Sequence, residues 1–420
     1  MSRRRRSFSI AAGTLLLTAL ACAGLSSCSR KPAGLGSDSE FRKRTQEALI
    51  LAKPGEVIEL PEGRFRPDRE LSLTVDNVTL RGKGMNKTIL SFADQKSGAS
   101  GLLVNANGFT IEDLAIEDTK GDGLKVTGGN NITIRRVRTE WTGGPKTSNG
   151  SYGIYPVQCR NVLVENSVVI GASDAGIYVG QSSNIIVRRN RVEYNVAGIE
   201  IENSQYADVY ENVATHNTGG ILAFNLPDLP VKDGKYTRIF NNQVISNDTE
   251  NFGAPGAMVS KVPRGTGVVV LATRHIEVFK NTIKENTTAN IQIISYFSTE
   301  DPIKDPQYDP YTGSVYVHDN IVSGGGTDPS GLRLKALALV VGKPLGDILY
   351  DGIIDAKNPN AREDSKICVQ NNGGATFLNL DAGNNFKHAS RDLAPYDCSF
   401  PALEAVNLPA ATSSGAGGGK

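Results

Sequence analysis

The sequence predicts an all-β fold of stacked, repeating coils of parallel strand, and three observations carry that reading. The segments YGIYPVQ, AGIYVGQS, AGIEIENS and GGILAFN place Gly153, Gly176, Gly198 and Gly220 at intervals of 23, 22 and 22 residues. A fixed period of that size marks a solenoid. After each glycine an apolar/variable/apolar alternation follows: Ile154 and Pro156, Ile177 and Val179, Ile199 and Ile201, Ile221 and Ala223. Period two is the signature of a strand. Between these strands runs a second motif: NVLVENS, NIIVRRN, ADVYEN, TRIFNN, IEVFKN and VYVHDN.

A chain of 420 residues ordinarily suggests two or three domains. A solenoid lifts that expectation, because each coil touches only its neighbours and the core grows with coil number. The 45 glycines and 6% aromatic content fit many tight turns around an interior of Ile and Val. Taking Arg3, Arg4, Arg5 and Arg6 away with a cleaved leader turns the formal charge from +1 to −3. That balance offers nothing to a nucleic acid.

The leader is residues 1–27. Its four arginines precede an apolar run from Ile10 to Gly24, too short for a lasting membrane span. Leu25-Ser26-Ser27-Cys28 resembles a bacterial lipobox, which implies lipidation of Cys28 and a membrane attachment through lipid alone. Ser29 resembles the sorting pattern of outer-membrane lipoproteins, which implies a bacterial envelope location facing the periplasm. Residues 28–37 form a tether. In an oxidising compartment Cys368 and Cys398 are the pair expected to form a disulfide, with Cys159 left free and buried beside a strand. The four histidines are scattered and no Cys-x-x-Cys occurs, so no metal site is suggested.

Ser37 or Asp38 caps an expected helix through Phe41, Thr45 and Leu49, stopped by Pro54-Gly55. Such a helix covers the open first coil, which would otherwise expose core and strand edge. The solenoid is expected over 38–355, a disulfide-tied segment over 356–409 and a flexible tail over 410–420. Asn190, Asn212, Asn242, Asn281 and Asn320 recur at one turn, where stacked amides can bond from coil to coil. Four insertions, Trp141–Ser151, Leu226–Lys235, Thr249–Gly265 and Ser298–Gly313, flank the glycine-led strands and would wall a groove over one sheet.

Aligning the glycines stacks Lys125, Tyr155, Tyr178, Glu200 and Leu222 in one outward column, with Thr127, Val157, Gly180, Glu202 and Phe224 in the next. With coils about 4.8 Å apart, these side chains share one surface. Lys125, Tyr155, Tyr178, Gln181, Glu200, Glu202 and Asn203 are the candidate substrate-binding residues; tyrosines with carboxylates and amides suit sugar rings. Asp174 and His216 lie near the rim. Glu200 and Glu202 are candidates for acid/base work or for Ca²⁺; otherwise no cofactor is expected. Tyr152 and His216 complete the catalytic candidates.

Over roughly residues 48–331 the repeats resemble the right-handed parallel β-helix superfamily of pectate lyases, polygalacturonases and alginate epimerases. The resemblance implies a single-stranded helix of three parallel sheets with an N-terminal capping helix. Tyr152-Gly153-Ile154-Tyr155-Pro156-Val157 resembles the epimerase segment Tyr-Gly-Phe-Asp-Pro-His, with Tyr152 on the catalytic tyrosine. Tyr155 and Val157 replace its Asp and His, which counts against that chemistry at this place. The run DAGIYVGQS, NVAGIEIENS, NTGGIL resembles a subgroup of exported β-helix lipoproteins of undefined function, often encoded beside a c-type-cytochrome-like protein; this implies such an envelope partner. The expectation is a monomer that binds a polysaccharide in the groove. The alternatives are a polysaccharide lyase or uronate epimerase, and a protein-binding partner of another envelope protein.

Overall fold

The computed structural model describes residues 37–409. The expected leader, the expected lipidation at Cys28, most of the expected tether and the expected tail from residue 410 fall outside the described residues.

Helix α1, Asp38–Leu51, starts where Ser37 accepts a hydrogen bond from the Glu40 amide at 3.3 Å. It buries Phe41, Thr45 and Leu49, and Phe41 stacks on Phe65 at 3.7 Å, closing the first coil. Each regular coil then supplies three strands, as in Ser183–Arg188, Arg191–Glu193 and Ala197–Glu202. The first two join their counterparts in one continuous nineteen-stranded sheet, and the third in an eleven-stranded sheet. Two of the three expected sheets thus merge around a corner, at residues such as Arg189 and Glu211, each with φ 56°. Successive strands pair in parallel register, for example Ile177 with Ile199 and Ile199 with Ile221.

The inward column Ile154, Ile177, Ile199, Ile221, Val268 and Ile291 is fully buried. Each such side chain contributes roughly 1.5–3 kcal/mol relative to exposure. The asparagine ladder runs beside it. The Asn190 side-chain amide donates to Val164 O and to Asn212 Oδ1, both at 3.0 Å, and the pattern repeats through Asn242, Asn281 and Asn320 to Asn372. The left-handed residue is the one before each asparagine, not the asparagine itself. Asn is therefore used for its amide rather than for backbone tolerance. A second ladder, Asn195–Asn217–Asn247–Asn286, holds the next corner.

The coils run past the expected boundary at 355, since Ile367–Gln370 and Phe377–Asn379 add strands to the two sheets. Cys368 and Cys398 form the expected disulfide, with Cα atoms 4.9 Å apart. Cys159 is free and buried, its thiol pushed up to about 11 by burial. From Cys398 the chain runs back across the larger sheet. The Leu403 amide donates to Glu277 Oε2 and the Val406 amide to Asp208 Oδ2, both at 3.1 Å. Helix α2, Leu332–Val341, packs Leu337 and Ala338 inward near the last coils.

Candidate functional site

The glycine-led strands Asp122–Thr127, Ile154–Val157, Ala175–Gly180, Ala197–Glu202 and Gly219–Phe224 are consecutive neighbours in the eleven-stranded sheet. Tyr155 lies opposite Lys125, Tyr178 opposite Glu200, and Gly180 opposite Glu202. The register expected from the repeats is present, and it brings the tyrosines and carboxyls together.

Tyr152, Tyr155 and Tyr178 form a three-ring cluster. Tyr152 lies 4.4 Å from Tyr155 and 4.7 Å from Tyr178, and Tyr155 meets Tyr178 edge-on at 5.0 Å. Lys125 Nζ stands 4.7 Å from the centre of the Tyr155 ring, within cation–π range. Tyr178 folds along its own strand over Gly180, where an added Cβ would overlap its ring. From there its hydroxyl donates to Glu202 Oε1 at 2.7 Å.

The open groove floor expected from the columns is not found. Tyr178, Glu200, Glu202 and Asn203 are 4%, 2%, 8% and 0% exposed, too little to meet a polymer. Three insertions fold down onto the sheet instead of standing beside it. Leu226, Phe252, Val259, Val262, Tyr296 and Tyr308 pack with Tyr178, Leu222 and Phe224 in an apolar cluster outside the main core. Asn203 is committed to holding one of these loops, donating to Leu226 O and Val231 O and accepting from the Leu226 amide. The first insertion is anchored elsewhere, through Trp141 Nε1 to Thr119 O at 2.8 Å. What solvent reaches is a smaller face of Asp122, Lys125, Tyr152, Tyr155, Asp174 and Gln181, with Gln158 exposed beside it.

Burial sets the electrostatics. Glu200 and Glu202 stand on one strand, and burial raises both carboxyls. Glu202 accepts from Tyr178, which favours its charged form against the upward push of burial. Burial drives Glu200 well above the carboxylate range, with the Glu202 and Asp174 charges adding to the shift. Glu200 Oε2 is buried without a hydrogen-bond partner. Asp174 is pushed up to about 7 by burial and by the Glu202 charge, and it is hydrogen-bonded to Tyr152. Asp122 is pushed up to about 6 by burial, against the pull of Lys125 and the Tyr152 amide. The same burial and negative charges raise the Tyr152 and Tyr178 phenols, which stay protonated, and bring Tyr155 to about 12.

His216 takes no part in this cluster. It stacks on Tyr194 at 5.5 Å and its Nδ1 pairs with Asp248 at 2.9 Å, in a corner row. Asp122 was absent from the sequence candidates, although its place directly before Gly123 in the first glycine-led strand was a usable signal. Among the described residues, no group of three or more His, Cys, Asp or Glu is arranged to hold a metal ion. No helix among them is long and apolar enough to cross a membrane.

The coils over residues 72–233 match the family model described as a right handed beta helix region. With the parallel register above, this gives the coils the right-handed parallel β-helix fold. Among solved structures it is similar to the A-module of a mannuronan C-5 epimerase from Azotobacter vinelandii, at 16% identity and TM-score 0.47, over 80% of this chain and 91% of that one. It is similar also to an alginate lyase from Paenibacillus sp. str. FPU-7, at 15% identity and TM-score 0.42, over 66% and 92%. A periplasmic alginate epimerase aligns at 14% identity and TM-score 0.44, over 69% and 78%. No curated protein sequence matches the chain.

Proposed function

We propose that the half-exposed face of Lys125, Tyr152, Tyr155 and Gln181 binds a polysaccharide. The observation that carries this reading is the Tyr155 ring, fixed edge-on by Tyr178, faced by Lys125 and partly open to solvent. A rigid aromatic face takes the C–H side of a sugar ring at low entropic cost, and the adjacent amides and lysine take its hydroxyls or acid groups. The buried Glu200–Glu202 pair supports this face from below rather than touching the polymer. The test is a glycan array with wild type, Tyr155→Ala and Lys125→Ala. Wild type should bind one glycan class, and Tyr155→Ala should weaken binding about tenfold or more. Equal binding by wild type and Tyr155→Ala refutes the reading.

A second reading is a polysaccharide lyase or uronate epimerase. The observation favouring it is that Asp122 and Asp174 titrate near about 6 and about 7 beside Tyr152, on the solvent-reached side. Groups that titrate near neutrality can both take and return a proton. Tyr152 would keep its proton and serve as a hydrogen-bond donor, because burial and the surrounding carboxylates raise its phenol. Unsaturated product absorbing in the ultraviolet tests the lyase, and proton exchange at C5 tests the epimerase. As to location, the lipobox resemblance supports a lipid-anchored envelope protein, and an unmodified Cys28 in mass spectrometry of the mature N-terminus would refute it. Failure of both glycan assays, with a neighbouring envelope protein retained in a pull-down, would favour the protein-partner alternative.

A further inference from the structure

One coil beyond Glu202 the outward face of the same sheet changes character. The columns that carry Glu200 and Glu202 continue as Leu222 and Phe224, then Val269 and Leu271, then Gln292 and Ile294, with Leu349 beyond. Over these residues lies a cavity of about 680 Å³. Phe224, Val269, Leu271, Ile294, Leu337 and Leu349 form its apolar wall. Its size falls within the roughly 300–1,000 Å³ typical of sites for small organic ligands. Gln292 is the neutral polar group on the floor, and it already donates to Thr266 Oγ1 at 3.3 Å. The buried Asp351 carboxylate at the margin is taken up by Ser295, Ser298 and Ile353. The interior therefore offers little to a polar ligand and much to a chain of methylenes.

An independent observation concerns α2, which forms one side of the cavity through Leu332, Leu334 and Leu337. A helix apolar on all sides is normally buried on all sides. This one exposes Leu332, Leu339 and Val340 at 90%, 82% and 77%, at the spacing of a single stripe. Apolar stripes of that kind mark contact surfaces. Arg333, Lys335 and Lys343 flank the stripe, and residues 332–343 contain no carboxylate. The cavity lining itself adds Lys261 and Arg264 to Arg333, against Glu250 and Glu300, so the balance beside the mouth favours an anionic head group, although Arg333 also pairs with Glu300, Arg264 with Glu250 and Lys261 with Asp301.

We propose that this cavity binds the aliphatic chain of an anionic amphiphile, which enters past α2. The head group stays at the basic flank of the helix, and the chain lies along Leu271, Ile294 and Leu349. The site is distinct from the tyrosine face and does not depend on what that face binds.

The test uses the full chain carrying Cys28→Ser in every arm, so that no lipid is attached and the leader is common to all. One arm titrates a long-chain polyene fatty acid whose fluorescence rises on leaving water. A second offers fluorescent phosphatidylglycerol from vesicles. Saturable one-to-one binding in either arm, displaced by unlabelled palmitate, is the expected result; the arm that responds distinguishes a free acid from a membrane phospholipid. Leu271→Trp fills the cavity and should weaken binding about tenfold or more. If that variant melts early, Leu334→Glu at the mouth is the substitute, with the same expectation. Absence of saturable binding in both arms overturns the proposal. So does a cavity-filled variant that binds as wild type, or a signal that tracks self-association in sedimentation rather than probe occupancy.

Discussion

Asp174→Asn should flatten the dependence of stability on pH and make the protein more stable than wild type in mild alkali. Asp174 has an ordinary carboxyl pKa of 3.8 and is raised to about 7 in the fold. A raised carboxyl binds its proton more tightly in the native state, so native protein holds more protons than unfolded chain between those values. Stability then falls as pH rises through that window, and the contribution is complete below it and lost above about 7. Each pKa unit corresponds to about 1.4 kcal/mol, which gives at most about 4 kcal/mol. One edge of Asp174 reaches solvent, so about 2–4 kcal/mol is the working range. Asp122, raised to about 6, acts with the same sign over a narrower window. Carboxylates held low by partners, such as Glu112 and Asp319, act oppositely but titrate out at lower pH. The assay is equilibrium urea unfolding at steps from pH 5 to 8, followed by tyrosine fluorescence. Wild type should lose stability across the range, and the variant, whose amide oxygen still accepts from Tyr152, should lose less. A wild-type profile that is flat or rises, or equal slopes in the two proteins, would refute the reading of the carboxyl cluster.

Other perturbations give sharp outcomes. Asn212→Ala removes the acceptor of the Asn190 amide and the donor to Val187 O, leaving buried groups that cost roughly 1–3 kcal/mol each; urea unfolding should register at least one such loss. Gly180→Ala puts a methyl where the Tyr178 ring lies and should break the bond to Glu202, with about 1–3 kcal/mol lost. Tyr178→Phe should reproduce most of that loss, and a silent Gly180→Ala would show that the ring is not seated there. Truncation after Ser399 strips the Leu403 and Val406 amides from Glu277 and Asp208. Hydrogen exchange should then quicken in Arg274–Phe279 and Gln205–Tyr210 while α1 is unaffected.

The repeat was legible because its physics is local. Period two puts Ile177 and Ile199 inward, and a fixed interval stacks them; no long-range contact is needed to infer either. The outward columns followed from the same count, which is why Tyr155, Tyr178 and Glu200 were placed side by side. Their burial was not legible. It depends on where Phe252, Val259 and Val262 come to rest, and these belong to an insertion outside the periodic pattern. An irregular loop can stand beside a sheet or lie upon it with the same composition. The second ladder was within reach, since Asn195, Asn217, Asn247 and Asn286 each follow a first-ladder asparagine by five residues.

The eleven-stranded sheet shows how a solenoid separates chemistries without changing its core. The inward column stays Leu, Ile or Val from Leu124 to Ile348, so the packing constraint is constant. The outward column is free of it, and passes from Lys125 and Tyr155 through Tyr178 and Glu200 to Leu222, Val269 and Leu349. The acidic pair sits where the insertions begin to cover the sheet, and this placement accounts for its raised pKa values. Beneath the loops that pack on Tyr178 and Leu222, burial holds both above the ordinary carboxylate range. The covering loops and the raised carboxyls are therefore one device, and deleting residues 252–262 should move Glu200 and Glu202 back toward ordinary titration, a change readable by carboxyl-specific NMR against pH.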